Sequence, residues 1–184
     1  ARPLNVPEIM VYSSNIGSAR IAEAIGAETQ RAFMDKLGLL DRLPLQLPET
    51  SIPLSPKTWR RTTTATVSYG HGISISMVHL ASAIAAAAGT GHWIAPTLIK
   101  PKTGEAPMAM RVFSDSTTRA VRSMMRLVVS HVDGSGNLAE APGHRVGGKT
   151  GTAEKIKTGG YNRKANVTTF AAIFPVHDPR YVII

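Results

Sequence analysis

Four stretches of the chain place apolar residues three or four positions apart, which is the spacing of one helix face. The pattern predicts helices over 18–25, 28–37 and 77–88, each followed by a glycine that suits a helix end. A fourth helix is predicted to begin at Ser114, whose hydroxyl can cap free backbone N–H groups. Its apolar positions predict a buried face, formed by Val121, Met124, Met125, Val128 and Val132, and the opposite face is predicted to be solvated, with Arg119, Arg122 and Arg126.

The last forty residues have the character of β-strands. Strands are predicted over 145–155, 167–174 and 181–184, with a turn at 178–179 between the last two. The earlier stretch 43–56 is predicted to be a surface loop or lid, because its prolines fix φ and lack a backbone donor. Helices come first and strands cluster at the end, so the order predicts an α+β fold with helices packed on an antiparallel sheet.

The composition narrows the possible chemistry. The chain has 184 residues, of which 43% are hydrophobic and 18% charged, as is typical of a domain with its own core. It has no cysteine, which excludes thiol nucleophiles, cysteine zinc sites and iron–sulfur clusters. The six histidines are dispersed without metal-ligand spacing, so neither a metal nor another cofactor is expected. The most apolar stretch, 80–89, is too short to cross the roughly 30 Å hydrocarbon layer of a bilayer.

The net charge of +9 favours anionic partners but does not indicate which kind. The basic residues are scattered and only 5% of residues are aromatic, whereas nucleic-acid binders more often show a dense basic stripe or stacking aromatics. We therefore interpret most of the charge as solvated surface and expect no nucleic-acid partner. A non-catalytic basic domain that binds cell-wall anions or nucleic acid stays open as an alternative.

Glycines interrupt the first predicted strand around Lys149-Thr150-Gly151-Thr152. Because glycine in a strand loses entropy and adds no packing, something is expected to approach this backbone closely. The side-chain period of two places Thr150 and Thr152 on one face, and Gly151 leaves the main chain open to a peptide-like ligand. With the lysine cation, these groups would suit a peptide carboxylate and an oxyanion. The alternative is a bulge or bend with a surface lysine.

Ser13, Ser14 and Asn15 lie just before the first predicted helix. Serine and asparagine most often cap helices at such positions, so the pair taken alone is interpreted as capping residues. Presented to a cleft, a serine beside a lysine could pass a proton while the carboxamide orients a substrate.

The two motifs in this order, S-x-N at residue 13 and K-T-G-T at residue 149, are two of the three marks of the penicillin-recognising acyl-serine enzymes. Between them, Tyr69-Gly70-His71-Gly72 resembles the Y-G-x-G loop of class B penicillin-binding proteins. Residues 148–155 and 178–180 resemble the division-septum member of that family, the FtsI type. The resemblance extends over essentially the whole chain. Residues 76–79 depart from the family pattern, and His79 is expected only to pack or hydrogen-bond there.

The resemblance implies a peptidoglycan D,D-transpeptidase domain. Its active-site serine would attack the D-Ala-D-Ala stem peptide and pass the acyl group to the amine of a neighbouring peptide. The implied partners are these stem peptides, β-lactam antibiotics, which acylate the same serine, and other division proteins. The implied location is the periplasmic face of the bacterial inner membrane, with an anchor upstream of this segment.

The resemblance also implies roles for particular residues. Carried over, Ser13 would relay protons, Asn15 would orient the substrate amide and Lys149 would support the relay. Residues 150–152 would bind substrate, the two hydroxyls holding its carboxylate and the Thr152 N–H forming half of an oxyanion hole.

The third mark of the family, S-x-x-K, is missing, because no serine of the chain has a lysine three positions later. In the family this motif supplies the nucleophile and lies upstream of S-x-N. Residues 1–184 are therefore expected to form the C-terminal portion of a transpeptidase domain, incomplete upstream and inactive alone. A serine β-lactamase-like hydrolase shares the motifs, but the chain lacks an E-x-x-L-N-type element and this alternative is less favoured.

Overall fold

A computed structural model describes residues 2–105, 107–157 and 160–184. Its helices are α1 (Val6–Val11), α2 (Asn15–Ile25), α3 (Ala27–Lys36), α4 (Arg61–Val67), α5 (Met77–Ala88) and α6 (Asp115–Ser130), followed by a short 3₁₀ turn, Asn137–Ala139. The strands are β1 (His92–Ile94), β2 (Ala109–Arg111), β3 (Gly147–Lys157), β4 (Gly160–Phe174) and β5 (Tyr181–Ile183). β1 pairs with β2, and the other three form an antiparallel sheet in the order β3-β4-β5. The predicted α+β fold, with helices packed on an antiparallel sheet, is confirmed.

The four predicted helices are α2, α3, α5 and α6, and their ends follow the predicted signals. Gly26 ends α2 at a φ of 85°, and Gly38 takes a left-handed backbone after α3 at a φ of 67°. The hydroxyls of Ser76 and Ser114 accept backbone hydrogen bonds at the starts of α5 and α6. Local capping chemistry therefore fixes where these helices begin and end.

His79 is buried in α5 and joins this helix to the loop after α3. Its Nδ1 lies 2.7 Å from Ser76 Oγ, and its Nε2 lies 2.9 Å from the backbone carbonyl oxygen of Asp41. The expectation that this histidine packs and hydrogen-bonds is confirmed.

Two helices were not predicted from the pattern, α1 and α4. α1 begins with a capping box, in which the Asn5 side chain accepts from the Glu8 N–H and the Glu8 carboxylate accepts from the Asn5 N–H. α4 contains consecutive threonines, which have modest helix propensity. Thr64 and Val67 are nevertheless buried, and Gln30 of α3 donates to the Thr64 carbonyl at 3.1 Å. Tertiary packing therefore stabilises α4.

The interior contains two hydrophobic clusters that hold α5 and α6 in place. The first is formed by Leu37, Leu39, Leu43, Ala83, Ala86 and Trp93. The second joins the end of α5 and the middle of α6 to β4, and it is formed by Ala88, Met125, Ile173 and Val176. The predicted interior position of α5 is thereby confirmed.

The predicted faces of α6 need two corrections. Met125 and Val128 are buried as predicted, but Val132 is 81% exposed because the helix ends at Ser130. The opposite face is not simply solvated, since Arg122 and Arg126 donate hydrogen bonds to backbone carbonyls of other elements.

β3 lies at one edge of its sheet in the part of the chain that the structure describes, with α6 packed against it. A Cβ on Gly147 would lie 2.8 Å from Val176 Cγ2, and one on Gly148 would lie 2.3 Å from Phe170 Cζ. The close approach expected at these two glycines is therefore made by the protein's own side chains. Within the described ranges, no helix is both long enough and apolar enough to span a membrane.

Candidate active site

Ser13 occupies the sharp bend between α1 and α2. Its N–H donates to the Met10 carbonyl at 3.3 Å, and the Ser14 N–H donates to the Ile9 carbonyl at 2.9 Å, which is the hydrogen-bond pattern of a Schellman helix end. This pattern requires a left-handed residue after the helix, and Ser13 has a φ of 52°, alone among the described non-glycine residues. The bend leaves its hydroxyl exposed beside the helix end.

Ser14, and not its neighbours, caps α2. The Ser14 hydroxyl accepts from the Gly17 N–H at 3.1 Å, and Asn15 is the first residue of the helix. The Asn15 side chain is exposed and hydrogen-bonds to no other described residue. The capping interpretation of residues 13–15 is therefore confirmed for Ser14 and wrong for Ser13 and Asn15, whose polar groups are available for other contacts.

Lys149 projects from β3 to the same bend. Its Nζ donates to Ser13 Oγ at 2.7 Å and to the Thr150 carbonyl at 2.9 Å, so the two motifs meet although 136 positions separate them. Burial lowers the pKa of the Lys149 ammonium below its ordinary value. Among the carboxylates whose side chains the structure describes, none forms an ion pair with it.

Thr150 extends this chain of polar contacts to a third segment. Its hydroxyl lies 3.4 Å from Lys149 Nζ and donates to Ser135 Oγ at 2.8 Å. Ser135 lies in the loop after α6, and its backbone N–H donates to the Val11 carbonyl at the end of α1, at 3.3 Å. The bend, the loop and β3 therefore converge on one hydroxyl-rich patch around a single cation.

Ser135 is a site residue that the sequence analysis missed. The one sequence signal for Ser135 is its position between Gly134 and Gly136. In the structure both glycines lie close to other groups of the protein. A Cβ on Gly134 would lie 2.2 Å from the Val128 carbonyl oxygen, and one on Gly136 would lie 3.0 Å from Phe170 Cε2. Tight packing on both sides fixes the place of the hydroxyl between them.

The other predicted residues of β3 lie next along the strand. A Cβ on Gly151 would lie 2.7 Å from Thr169 Oγ1 of β4, so this glycine lets two strands approach. Thr152 is exposed, and its hydroxyl has no hydrogen-bond partner among the described residues. Neither residue contacts the Ser13–Lys149 pair by a hydrogen bond, and their assignment to substrate stays a prediction.

The Y-G-x-G loop follows α4. Gly70 and Gly72 have φ values of 91° and 82°, a left-handed backbone that explains the two glycines, and the rings of Tyr69 and His71 pack edge to face at 5.4 Å. No group of three or more histidine, aspartate or glutamate side chains in the described part of the chain is arranged to hold a metal ion.

The Lys149 ammonium has a lowered pKa, contacts the Ser13 hydroxyl and lies close to the hydroxyls of Thr150 and Ser135. This arrangement suits two tasks. It can shuttle a proton through Ser13, and it can attract a carboxylate to the hydroxyls of Thr150 and Ser135. Such a patch has groups suited to acyl transfer on an anionic substrate.

Comparison with known proteins agrees with this class of site. Residues 1–184 match the family described as "Penicillin binding protein transpeptidase domain". The chain belongs to this family, as the resemblance in its motifs predicted.

Two curated relatives give the same result. The chain is 39% identical over 179 residues to "Probable peptidoglycan D,D-transpeptidase FtsI" of Caulobacter vibrioides, covering 96% of the chain and 30% of that protein. It is 34% identical to "Probable peptidoglycan D,D-transpeptidase PenA" of Neisseria gonorrhoeae, covering 98% of the chain and 31% of that protein. The chain thus spans less than a third of the length of these two curated relatives.

Two solved structures have the same fold. The transpeptidase domain of Burkholderia pseudomallei penicillin-binding protein 3 superposes with a TM-score of 0.90 at 38% identity, over 97% of this chain and 54% of that one. Penicillin-binding protein 3 of Mycobacterium tuberculosis, in complex with aztreonam, superposes with a TM-score of 0.89 at 30% identity, over 98% of this chain and 44% of that one.

Proposed function

We propose that this chain is part of a peptidoglycan D,D-transpeptidase that cross-links cell-wall stem peptides at the division septum through an acyl-serine intermediate. The observation that carries the proposal is the 2.7 Å contact between Lys149 Nζ and Ser13 Oγ, which joins the S-x-N and K-T-G-T motifs in one site. The family of the chain and the names of its relatives support the reaction class.

In the proposed reaction, a serine oxygen attacks the carbonyl between the two D-alanines, and the terminal D-alanine leaves with a proton. Ser13 relays that proton under the influence of the Lys149 ammonium, which its burial makes easier to deprotonate. The amine of a neighbouring stem peptide then attacks the acyl-serine and releases the enzyme. Asn15 orients the substrate amide during both steps.

The substrate's carboxylate is proposed to lie against Thr150 and Thr152, with Ser135 as a further donor. In the structure Thr150 donates its one hydroxyl proton to Ser135 at 2.8 Å, so the Ser135 hydroxyl is free to donate to an anion, and Thr150 donates to the carboxylate only by turning away from Ser135. The Thr152 N–H is proposed as half of the oxyanion hole, and the open main chain at Gly151 lets the peptide align along β3. β-Lactams, which the Mycobacterium tuberculosis structure holds, are proposed to enter the same site.

The nucleophilic serine itself is proposed to come from a Ser-x-x-Lys element outside these residues. Residues 1–184 then form the C-terminal portion of a transpeptidase domain, in keeping with their coverage of 54% of the Burkholderia pseudomallei transpeptidase domain. The complete protein is proposed to be anchored at the inner membrane, with this portion on the periplasmic side, and to act with other division proteins.

Labelling with a fluorescent penicillin tests the proposal. The isolated chain is expected to remain unlabelled, whereas the full-length protein is expected to become covalently labelled once per molecule. Labelling of the isolated chain would contradict the proposal that the nucleophilic serine lies outside these residues. Release of hydrolysed penicillin over many turnovers by the full-length protein would indicate a β-lactamase instead.

A further inference from the structure

The aromatic ring of Phe170 lies against two glycines that are neighbours of candidate site residues. A Cβ on Gly148, next to Lys149, would lie 2.3 Å from Phe170 Cζ. A Cβ on Gly136, next to Ser135, would lie 3.0 Å from Phe170 Cε2. The first glycine belongs to β3 and the second to the loop after α6. One ring of β4 therefore packs against both segments that carry polar groups of the site.

The strand register explains why the ring lies there. Phe170 is directly opposite Thr150 in the antiparallel pairing of β3 with β4. Opposite residues project to the same face of a sheet, and so do residues two positions apart on one strand. The ring can therefore extend diagonally over Gly148, which has no side chain to exclude it. On this same face the Thr150 hydroxyl donates to Ser135 Oγ at 2.8 Å, so the ring lies beside the hydrogen bond that joins β3 to the loop.

Backbone hydrogen bonds hold the loop against the helices. The Gly136 N–H donates to the Val128 carbonyl of α6 at 3.1 Å, and the Ser135 N–H donates to the Val11 carbonyl of α1 at 3.3 Å. These bonds fix the loop relative to α1 and α6, whereas packing against Phe170 sets its distance from β3. Because protein interiors are close-packed and transmit strain, removal of the ring is expected to change that distance.

The two hydroxyls joined across this gap tolerate little displacement. Hydrogen bonds between hydroxyls have oxygen separations of about 2.5–3.0 Å, so a shift of the loop by roughly 1 Å would break the bond between Thr150 and Ser135. Hydroxyls this close can also converge on one carboxylate, and a wider gap prevents it. The position of the loop therefore governs how well an anion is held.

We propose that Phe170 is a positioning residue for the carboxylate-binding hydroxyls of Thr150 and Ser135. Its ring sets the distance between β3 and the loop after α6, and it acts through these hydroxyls and not by contact with the substrate. This inference rests on the proposed transpeptidase function, in which the two hydroxyls hold the substrate's carboxylate, and it adds a residue of β4 to that site.

Acylation of the full-length protein by benzylpenicillin and by its uncharged methyl ester tests this role. The readout is the ratio of the two second-order rate constants, acid over ester, measured from the block of later labelling by a fluorescent penicillin. Phe170→Leu is expected to lower this ratio roughly tenfold, because only the acid has hydrogen bonds to a charged group to lose. A general loss of structure would lower both rate constants equally and leave the ratio unchanged.

The matched control is Phe174→Leu, the same substitution on the same strand. The Phe174 ring is also partly buried, and it packs against the His144 ring at a centroid distance of 5.3 Å. This control is expected to keep the ratio within about twofold of that of the unaltered protein, since the ring contacts neither site segment. Thermal unfolding shows which variants are folded.

Gly136→Ala displaces the loop without removing the ring. Its added methyl would lie 3.0 Å from Phe170 Cε2 and 3.2 Å from Val128 Cγ1, so the loop is expected to move away from β3. The ratio of acid to ester is expected to fall in this variant too. Gly136→Ala decides the outcome if Phe170→Leu does not fold.

An unchanged ratio in folded Phe170→Leu, or in Gly136→Ala, would overturn the positioning role. An equal fall in Phe174→Leu would overturn it as well. In these cases the unaltered protein still reacts with benzylpenicillin, so the proposed function stands. Failure of benzylpenicillin to acylate the unaltered protein would instead overturn the proposed function and this inference with it.

Discussion

Ser13 places a hydroxyl at a backbone position that glycine would occupy at lower free energy. Left-handed backbone costs a residue with a Cβ on the order of 1–2 kcal/mol, and Ser13 has a φ of 52°. The Schellman end of α1 requires this conformation whatever residue is present. A strained non-glycine residue is retained where its side chain is needed, and here the Ser13 hydroxyl contacts Lys149.

Comparison of Ser13→Gly with Ser13→Ala separates backbone strain from the loss of the hydroxyl. Both variants lack the contact with Lys149, but only glycine relieves the left-handed backbone. We expect Ser13→Gly to have an unfolding free energy about 1 kcal/mol higher than Ser13→Ala in urea titrations. Equal stabilities would show that this bend is not strained.

Lys149 is expected to make stability depend on pH in the alkaline range. Burial lowers its folded-state pKa below the unfolded value, so between these two values the unfolded chain binds more protons. Below the folded pKa, the full cost of burying the charged group lowers the unfolding free energy. As pH increases from the folded pKa towards the unfolded value, this cost is relieved and the unfolding free energy rises.

Replacement by methionine removes this titration and keeps a long unbranched side chain that is one atom shorter. The difference in unfolding free energy, unaltered protein minus Lys149→Met, is expected to rise as the pH increases from neutrality to about 10.4. Urea unfolding at several pH values measures it, with the exposed Lys155→Met of the same strand as a control for losing a lysine. A difference that falls over this range would contradict a lowered pKa.

At the scale of elements, Ser14 and Asn15 are neighbours with opposite tasks. Ser14 caps α2, and Asn15 presents from the first turn a carboxamide that hydrogen-bonds to none of the residues that the structure describes. Loss of a serine cap typically costs about 1 kcal/mol, whereas loss of an exposed amide costs little.

Replacing Ser14 is therefore expected to affect stability, and replacing Asn15 is expected to affect the acylation rate. Ser14→Ala is expected to lower the unfolding free energy by about 1 kcal/mol, with Ser14→Asp restoring most of it. Asn15→Ala is expected to leave stability within about 0.5 kcal/mol and to slow acylation of the full-length protein by a penicillin. Denaturant unfolding and acylation rates of the same variants check both parts, and destabilisation by Asn15→Ala alone would reverse the assignment.

Elements with strong local signals were predictable from the sequence. The helices α2 and α5 have apolar periodicity with glycine or serine at their ends, and both were found where predicted. α4 was not, because its threonines have modest helix propensity and the helix depends on tertiary contacts, namely burial of Thr64 and Val67 and the hydrogen bond from Gln30. α1 was overlooked, although Asn5 and Glu8 form a recognisable capping box.

At the scale of the whole molecule, the candidate site joins three segments that are distant in sequence. Ser13 lies at the α1–α2 bend, Ser135 in the loop after α6, and Lys149 and Thr150 on β3. Residue spacing alone could not show that these segments meet, and only the resemblance to a known family placed two of them together. Ser135 was missed because its role arises from packing around two glycines.

The rate of acylation by a fluorescent penicillin tests the central claim most directly, namely that Ser13 and Lys149 act as one unit in acyl transfer. In the full-length protein, Ser13→Ala and Lys149→Ala are each expected to lower the second-order rate constant by roughly 10²–10⁴-fold. The double variant is expected to lose little more than either single one, because residues that act together are not additive. The claim would be contradicted if Ser13→Ala and Lys149→Ala were acylated about as fast as the unaltered protein and the control Lys155→Ala.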